Sequence, residues 1–331
     1  MTPRIVISIA AVALAMIATA QSRDIPRDTS FTMYSTNIKV LKSHPEARLV
    51  PAVLPAGVKA NENVVYRTLK DTPFGERQLH ADIYRPDDGK RYPALIMIHG
   101  GGWRSGSREL QRPLALNIAA KGYVTVPVEY RLSLEAKYPA ALHDIKAAVR
   151  WLRANADTYG IDPDHIAVSG CSAGGQLAGL TGMTNGSARH EGDGDFPDVS
   201  SDVQAVVNID GIVTFVSPGN IADAAERLRK KGEMPVNAFW LGGMYYDATE
   251  NWNEASAILW ATPSSAPICF INSQLPRYHD GRDQLCEILD ALGVDHETYE
   301  LDSDIHPFWF FERWFEPTVS HAVDFLDRHL K

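Results

Sequence analysis

Apolar residues in this chain fall into short blocks separated by stretches of helical spacing. Val64 to Leu69 and Gln78 to Tyr84 read as two paired strands joined by a Pro-Phe-Gly turn at 73–75. Residues 94–98 and 123–128 are short apolar runs bounded by Gly or Pro, the pattern of strands covered on both faces. A helix is expected at 113–120. Another is expected at 140–156, where Leu142, Ile145, Ala148, Val149 and Leu152 recur on one face. A strand at 166–169, a helix from Ala173 and a strand at 203–209 follow. Residues 211–267 read as irregular and aromatic. A strand at 268–272, a helix at 282–292, a strand at 296–301 and a final helix at 317–330 complete the series. Such alternation predicts a mostly parallel sheet with helices on both faces. Strands from both ends of the chain belong to that sheet, so residues 61–331 are read as one α/β domain with an insertion at about 211–267.

The first sixty residues break this pattern. Arg4 precedes an uncharged apolar run from Ile5 to Ala18 that ends in Ala18-Thr19-Ala20. This is the layout of a secretory signal, residues 1–20, cleaved before Gln21. The expected location is therefore secreted or periplasmic. The run is short for a bilayer span and no second one follows, so no stable membrane association is expected. Residues 21–60 are polar and Pro-rich and read as a loosely ordered arm.

The 331 residues are 45% apolar and 22% charged, which excludes disordered and collagen-like classes. Net charge is -9, and it becomes -10 once a segment with one Arg and no acid is removed. With no basic run of five residues, nucleic acid is excluded as a partner. Three cysteines cannot form a disulfide scaffold. Cys269 and Cys286 could pair, but both lie in apolar runs where a free thiol fits as well.

The sharpest chemical feature is Gly170-Cys171-Ser172-Ala173-Gly174, between an apolar strand and a helix. A serine on so tight a turn sits in a strained backbone, and only small residues two positions either side let the chain pass. Its hydroxyl then stands at a helix N-terminus, which favours developing negative charge. Upstream, directly after the strand at 94–98, stands His99-Gly100-Gly101-Gly102-Trp103. Successive glycines leave backbone N–H groups uncovered, and those of Gly101 and Gly102, with that of Ala173, can donate to an oxyanion. His99 is read as holding this loop by a hydrogen bond. A phosphate loop is disfavoured, since no Gly-Lys-Ser/Thr follows. No ligand spacing for a metal is present, and no cofactor is expected.

These motifs, in this order and context, resemble the α/β-hydrolase fold. The likeness is greatest to the esterase branch that includes acetylxylan, feruloyl and pectin esterases, and it covers about residues 62–331. The resemblance implies a serine, acid, histidine order with the histidine after the last strand, and His306 in Asp-Ile-His-Pro-Phe-Trp fits that place. The acid departs from the usual pattern. Family members commonly carry it a few residues beyond the seventh strand, where this chain has Pro276. Asp210, ending the sixth strand, is favoured because a carboxylate that orients an imidazole should be buried and fixed. Asp283 is the alternative, with capping or pairing to Arg282 as its simpler explanation, and Asp280 lies in a polar turn between them.

What the resemblance implies is a serine esterase acting on an acylated carbohydrate, with acetyl or feruloyl groups on plant polysaccharide. A general carboxylesterase for small acyl esters shares every catalytic residue. A serine peptidase lacks its usual accessory domain here, and a non-catalytic carbohydrate-binding protein would not need the serine and histidine. Trp103, Trp240, Tyr278 and Trp309 are candidates for a sugar platform. Arg277, His279 and Arg282 form a small positive cluster suited to a uronate carboxylate, or to pairing with Asp280 and Asp283. Oligomeric state is not legible.

Overall fold

The computed structural model describes residues 24–331. The expected export signal, residues 1–20, lies outside them. In chain order the elements are α1 (Met33–Val40), β1 (Val58–Thr72), β2 (Gly75–Pro86), β3 (Tyr92–Ile98), α2 (Arg112–Ala119), β4 (Val124–Val128), α3 (Ala140–Ala154), α4 (Ala156–Tyr159), β5 (Ile161–Cys171), α5 (Ala173–Met183) and β6 (Val206–Ile209). Then come α6 (Pro218–Lys231), α7 (Val236–Leu241), α8 (Thr249–Glu254), β7 (Ile268–Asn272), α9 (Arg282–Leu292), β8 (His296–Glu300) and α10 (Glu312–Leu330).

The eight strands form one sheet in the order β1-β2-β4-β3-β5-β6-β7-β8. β1 and β2 form an antiparallel hairpin and β2 meets β4 antiparallel. All pairs from β4 to β8 are parallel. Successive side chains point to opposite faces, so Ile96 and Ile98 pack beneath α3 and α5 while Leu95 and Met97 pack beneath α2 and α10. Two hydrophobic layers therefore sandwich the sheet. This explains why its central strands read as unbroken apolar runs.

Three expectations need correction. Residues 211–267 are not irregular, because α6, α7 and α8 lie there. α6 buries only Ala224, so it shows no apolar stripe, yet Ser217 Oγ caps its start and Gly232 at φ 68° closes its end. The aromatic content of this insertion packs inward. Trp240 and Trp252 are fully buried around Phe215, with centroids 5.9 and 6.3 Å from it.

The arm is likewise more ordered than its composition suggests. Thr32 and Ser35 form a reciprocal capping box at the head of α1. Asp28 bridges to Ser105 and pairs with Arg104 at 2.9 Å. Further on, the Val50 N–H donates to the Phe310 carbonyl at 2.9 Å and the Glu312 N–H to that of Arg48. The last helix starts at Glu312 rather than Pro317, because the ring is accommodated in its second turn. Of the two readings left open for Cys269 and Cys286, the structure has the free thiols, and Cys171 is free as well.

A buried charge cluster clamps α3 to the hairpin edge. Asp144, with no exposed surface, accepts from Arg67 Nη1 at 2.7 Å and from Arg131 N, Nε and Nη2 at 3.0, 2.8 and 2.9 Å. Removing Asp144 leaves Arg131 without a carboxylate among the described residues and Arg67 with only the exposed Asp193 at 3.1 Å. Asp144→Ala should lower the unfolding free energy by about 3–5 kcal/mol, read by urea denaturation. A loss below about 1 kcal/mol would show the clamp to be dispensable.

Candidate active site

The carboxyl ends of the parallel strands carry the site. Beyond β5 and β6 the ladder continues for one more step: the Ser172 N–H donates to Ile209 O at 2.8 Å and the Asp210 N–H to Ile271 O at 3.1 Å. These two bonds seat Ser172 and Asp210 on adjacent strands. Both residues then leave the sheet at positive φ, 58° for Ser172 and 50° for Asp210. Trp103, in the glycine loop, has φ 55°. Five non-glycine residues have positive φ among the described residues, and three of them meet here, so backbone strain is concentrated at this edge.

Close packing explains the glycines around the serine. A Cβ on Gly170 would run into the Gly174 carbonyl and stand 2.8 Å from Gly175 N. A Cβ on Gly174 would strike the Ile98 carbonyl, and one on Gly100 would stand 2.8 Å from Cys171 O and 3.0 Å from Ser172 Cβ. The glycine loop thus lies directly against the serine turn. His99 is buried, donates from Nδ1 to Gly100 O at 2.8 Å and stacks on Tyr130, so it braces this loop. The N–H groups of Gly101, Gly102 and Ala173 donate to no protein acceptor among the described residues. Ala173 opens α5, where the first N–H groups have no intrahelical partner.

His306 arrives from the segment between β8 and α10. Its Nε2 lies 2.7 Å from Ser172 Oγ and its Nδ1 2.9 Å from Asp210 Oδ2. With Nδ1–H donating to the carboxylate, Nε2 is the acceptor for the serine hydroxyl. Asp210 is wholly buried and accepts further from Ser273 N and Ser273 Oγ, each at 2.7 Å, and from Asn272 Nδ2 at 3.3 Å. Asp283 does not take part: it is exposed and pairs with Arg282 at 2.7 Å. Asp280 is engaged by Ser217 and Asn220 at the head of α6, each at 2.6 Å.

The aromatic candidates divide differently from the expectation. Trp103, Trp240 and Trp309 are buried and form no platform for a sugar. Trp103 stacks on Trp240 with centroids 4.9 Å apart and donates to Gln176 Oε1 at 2.9 Å. Trp309 meets the His306 ring edge-on at 5.3 Å. Tyr278 lies face to face on that imidazole, with centroids 3.6 Å apart and planes 6° from parallel, and the Arg277 guanidinium lies 4.7 Å over the tyrosine ring. Tyr278 therefore supports the imidazole rather than presenting that face to a ligand.

Two contributors escaped the sequence reading. Ser273 gives Asp210 two hydrogen bonds, and its only sequence signal is that it follows the strand beside the one Asp210 ends. Gln176 joins the Trp103 indole to the Ala255 carbonyl at 2.9 Å, and thereby ties the insertion to α5.

The fold and the site at its carboxyl edge define an α/β-hydrolase. Residues 81–276 match the family described as BD-FAE, and the chain belongs to it. The probable carboxylic ester hydrolase LipM of Mycobacterium tuberculosis is 36% identical over 265 residues, 77% of this chain and 56% of its own. The esterase LipC of the same organism is 40% identical over 134 residues, 39% of this chain and 33% of its own. The chain thus spans about half or less of the length of these curated relatives. Among solved structures, esterase 2 of the Planctomycetes species Thermogutta terrifontis with propionate bound superposes with TM-score 0.64 at 26% identity, over 82% of this chain and 94% of that one.

Burial pushes the His306 imidazole below its ordinary value of 6.5, and the Asp210 carboxylate only partly opposes this. Burial brings His99 down to about 4. Both rings bind protons less readily folded than unfolded, so stability is lost as pH falls below about 6.5 toward the folded values. In an imidazole-detected NMR titration His306 should have its midpoint below 6.5 and His99 near 4. A His306 midpoint above 7 would contradict the burial argument.

Proposed function

We propose that the chain hydrolyses carboxylic esters through Ser172, His306 and Asp210. The carrying observation is the continuous hydrogen-bonded line from Asp210 Oδ2 through the imidazole to Ser172 Oγ, 2.9 and 2.7 Å. His306 Nε2 takes the serine proton as Oγ attacks the ester carbonyl. Charge gathers on the carbonyl oxygen, beside the unpaired N–H groups of Gly101, Gly102 and Ala173. Collapse of the tetrahedral adduct expels the alcohol with the proton from Nε2. Water, deprotonated by the same nitrogen, then attacks the acyl-serine and releases the acid. Asp210 keeps the proton on Nδ1 and balances the imidazolium charge.

The substrate we infer is an acyl ester, acetyl in size, on a plant cell-wall polysaccharide such as xylan or pectin, met after export. The signal-like residues 1–20 support export. A bifunctional GH43-CE protein from Bacteroides eggerthii supports the carbohydrate side, with TM-score 0.67 at 27% identity over 82% of this chain and 35% of that one. One contact favours a second reading as a general esterase for small acyl groups. Val236 Cγ2 stands 3.5 Å from where a Cβ on Gly102 would be, so a branched side chain borders the proposed oxyanion loop. The propionate-bound neighbour agrees with small acyl groups.

Ser172→Ala and His306→Ala should each lower kcat by about a million-fold, and Asp210→Asn by about ten-thousand-fold. Asp283→Asn should leave it unchanged. A large loss in Asp283→Asn with Asp210→Asn active would reverse the roles assigned to the two acids. Because the neutral imidazole is the base, kcat/KM should fall on the acid side with a midpoint below 6.5. Release of acetate from acetylated xylan or pectin, set against hydrolysis of p-nitrophenyl butyrate, separates the two substrate readings. Activity on the synthetic ester alone would favour the general esterase.

A further inference from the structure

The overlap of His306 with Tyr278 suits one charge state of the imidazole better than the other. The ring centroids are 3.6 Å apart and the planes 6° from parallel, so the two rings lie over one another with little lateral offset. Two neutral rings stacked in this way set like charge against like, and an offset or edge-on arrangement suits them better. A cationic ring differs, because its positive charge is drawn to the negative π face of a phenol. The overlap therefore fits an imidazolium better than an imidazole. Trp309, 5.3 Å away with its plane at 89° to the imidazole, makes no such stack.

Tyr278 is held by the segment that also holds the acid. It closes the single turn Pro276–Tyr278, with its N–H donating to Leu275 O at 3.0 Å. Its carbonyl accepts from Asn272 Nδ2 at 3.4 Å, and His279 Nε2 donates to Ser273 O at 2.6 Å. Ser273 in turn donates to Asp210 from its N–H and its hydroxyl. One stretch of chain after β7 thus sets both the ring and the carboxylate against the imidazole. Burial pushes the Tyr278 phenol up to about 12, so the ring stays neutral near neutral pH. Among the charged groups around His306, Asp210 favours its cation. Arg277, whose guanidinium carbon is 4.7 Å from the Tyr278 centroid, and Lys39 oppose it. Asp304, just before His306, is paired with His44 at 3.1 Å.

We propose that Tyr278 is a positioning residue whose π face stabilises the His306 imidazolium formed as Ser172 gives up its proton. The proposal rests on the ester-hydrolase reading and adds a residue to it. As Nε2 takes the serine proton and Oγ bonds to the ester carbonyl carbon, positive charge spreads over the imidazole. Tyr278 meets that charge at the ring face while Asp210 meets it at Nδ1. The proton then leaves with the alcohol, so the tyrosine is neither consumed nor charged. Its contribution exists only while the imidazole is cationic, so its effect falls on the rate rather than on binding of the substrate.

The test replaces Tyr278 by phenylalanine, and then by phenylalanines carrying one, two and three ring fluorines introduced as unnatural amino acids. Fluorine withdraws charge from the π face while the ring keeps nearly the same size, so the packing on His306 is preserved. With p-nitrophenyl acetate, kcat should stay within about twofold of the wild type in Tyr278→Phe and fall stepwise along the fluorinated series, by about three- to tenfold at the third fluorine. Along the same series the His306 midpoint in imidazole-detected NMR should move down by about half to one pH unit, because a weaker face favours the cation less. A ring that only fills space would give the same kcat and the same midpoint in phenylalanine and all its fluorinated forms, and that result overturns the proposal. The midpoint is read without turnover. If the wild type cleaves no ester while the midpoint still moves, the ester-hydrolase reading fails and the preference of this face for the imidazolium stands.

Discussion

Asp210 carries its carboxylate at the end of β6 with no exposed surface, and four donors converge on it: Ser273 N, Ser273 Oγ, Asn272 Nδ2 and His306 Nδ1. A buried carboxylate without such partners costs several kcal/mol. The end of β7, the segment carrying His306 and the turn after β6 are therefore conditional on one another. The extra ladder step from Ser172 to Ile209 and from Asp210 to Ile271 sets the spacing between these two residues by strand separation. A single interaction thus couples the register of three parallel strands to the orientation of one imidazole.

How legible each part was in the sequence follows from what organises it. β3, β4, α3 and β7 show plainly because burial on both faces, or on one helical stripe, imprints itself on residue order. α6 and α1 do not, because α6 buries only Ala224 and α1 only Thr36 and Val40. Their caps, Ser217 and Thr32, specify them instead of periodicity. The glycine and serine motifs are readable because steric exclusion at Gly100, Gly170 and Gly174 is a local matter. The carboxylate was open between Asp210 and Asp283, since the choice depends on how β6 and β7 align, which no local pattern records. The tryptophans misled because a large ring suits a core and a sugar platform equally, and Trp103 on Trp240 belongs to the core.

The span shared with the BD-FAE family ends at residue 276. Gly101, Gly102, Ser172 and Asp210 fall inside it. Tyr278 and His306 lie beyond its end. Between these parts runs the link from Trp103 through Gln176 to Ala255, which fastens the inserted helices to the helix that Ser172 precedes. The insertion and the turn at Ser172 are in this way one mechanical unit, with the segments that contact the imidazole contributed from outside the matched region.

The arm touches both halves of the site's rim, through Asp28 at Ser105 and through Leu49 at Phe311. It behaves as a strap buckled on either side of Ser172, and its ends hold the loops that follow β3 and β8. An engineer trimming this chain to a minimal scaffold would see the stretch before β1 as a short-helix arm outside the sheet and be tempted to discard it. Doing so would unbuckle the loops that border Ser172, so solubility tags and surface-attachment points belong away from this arm.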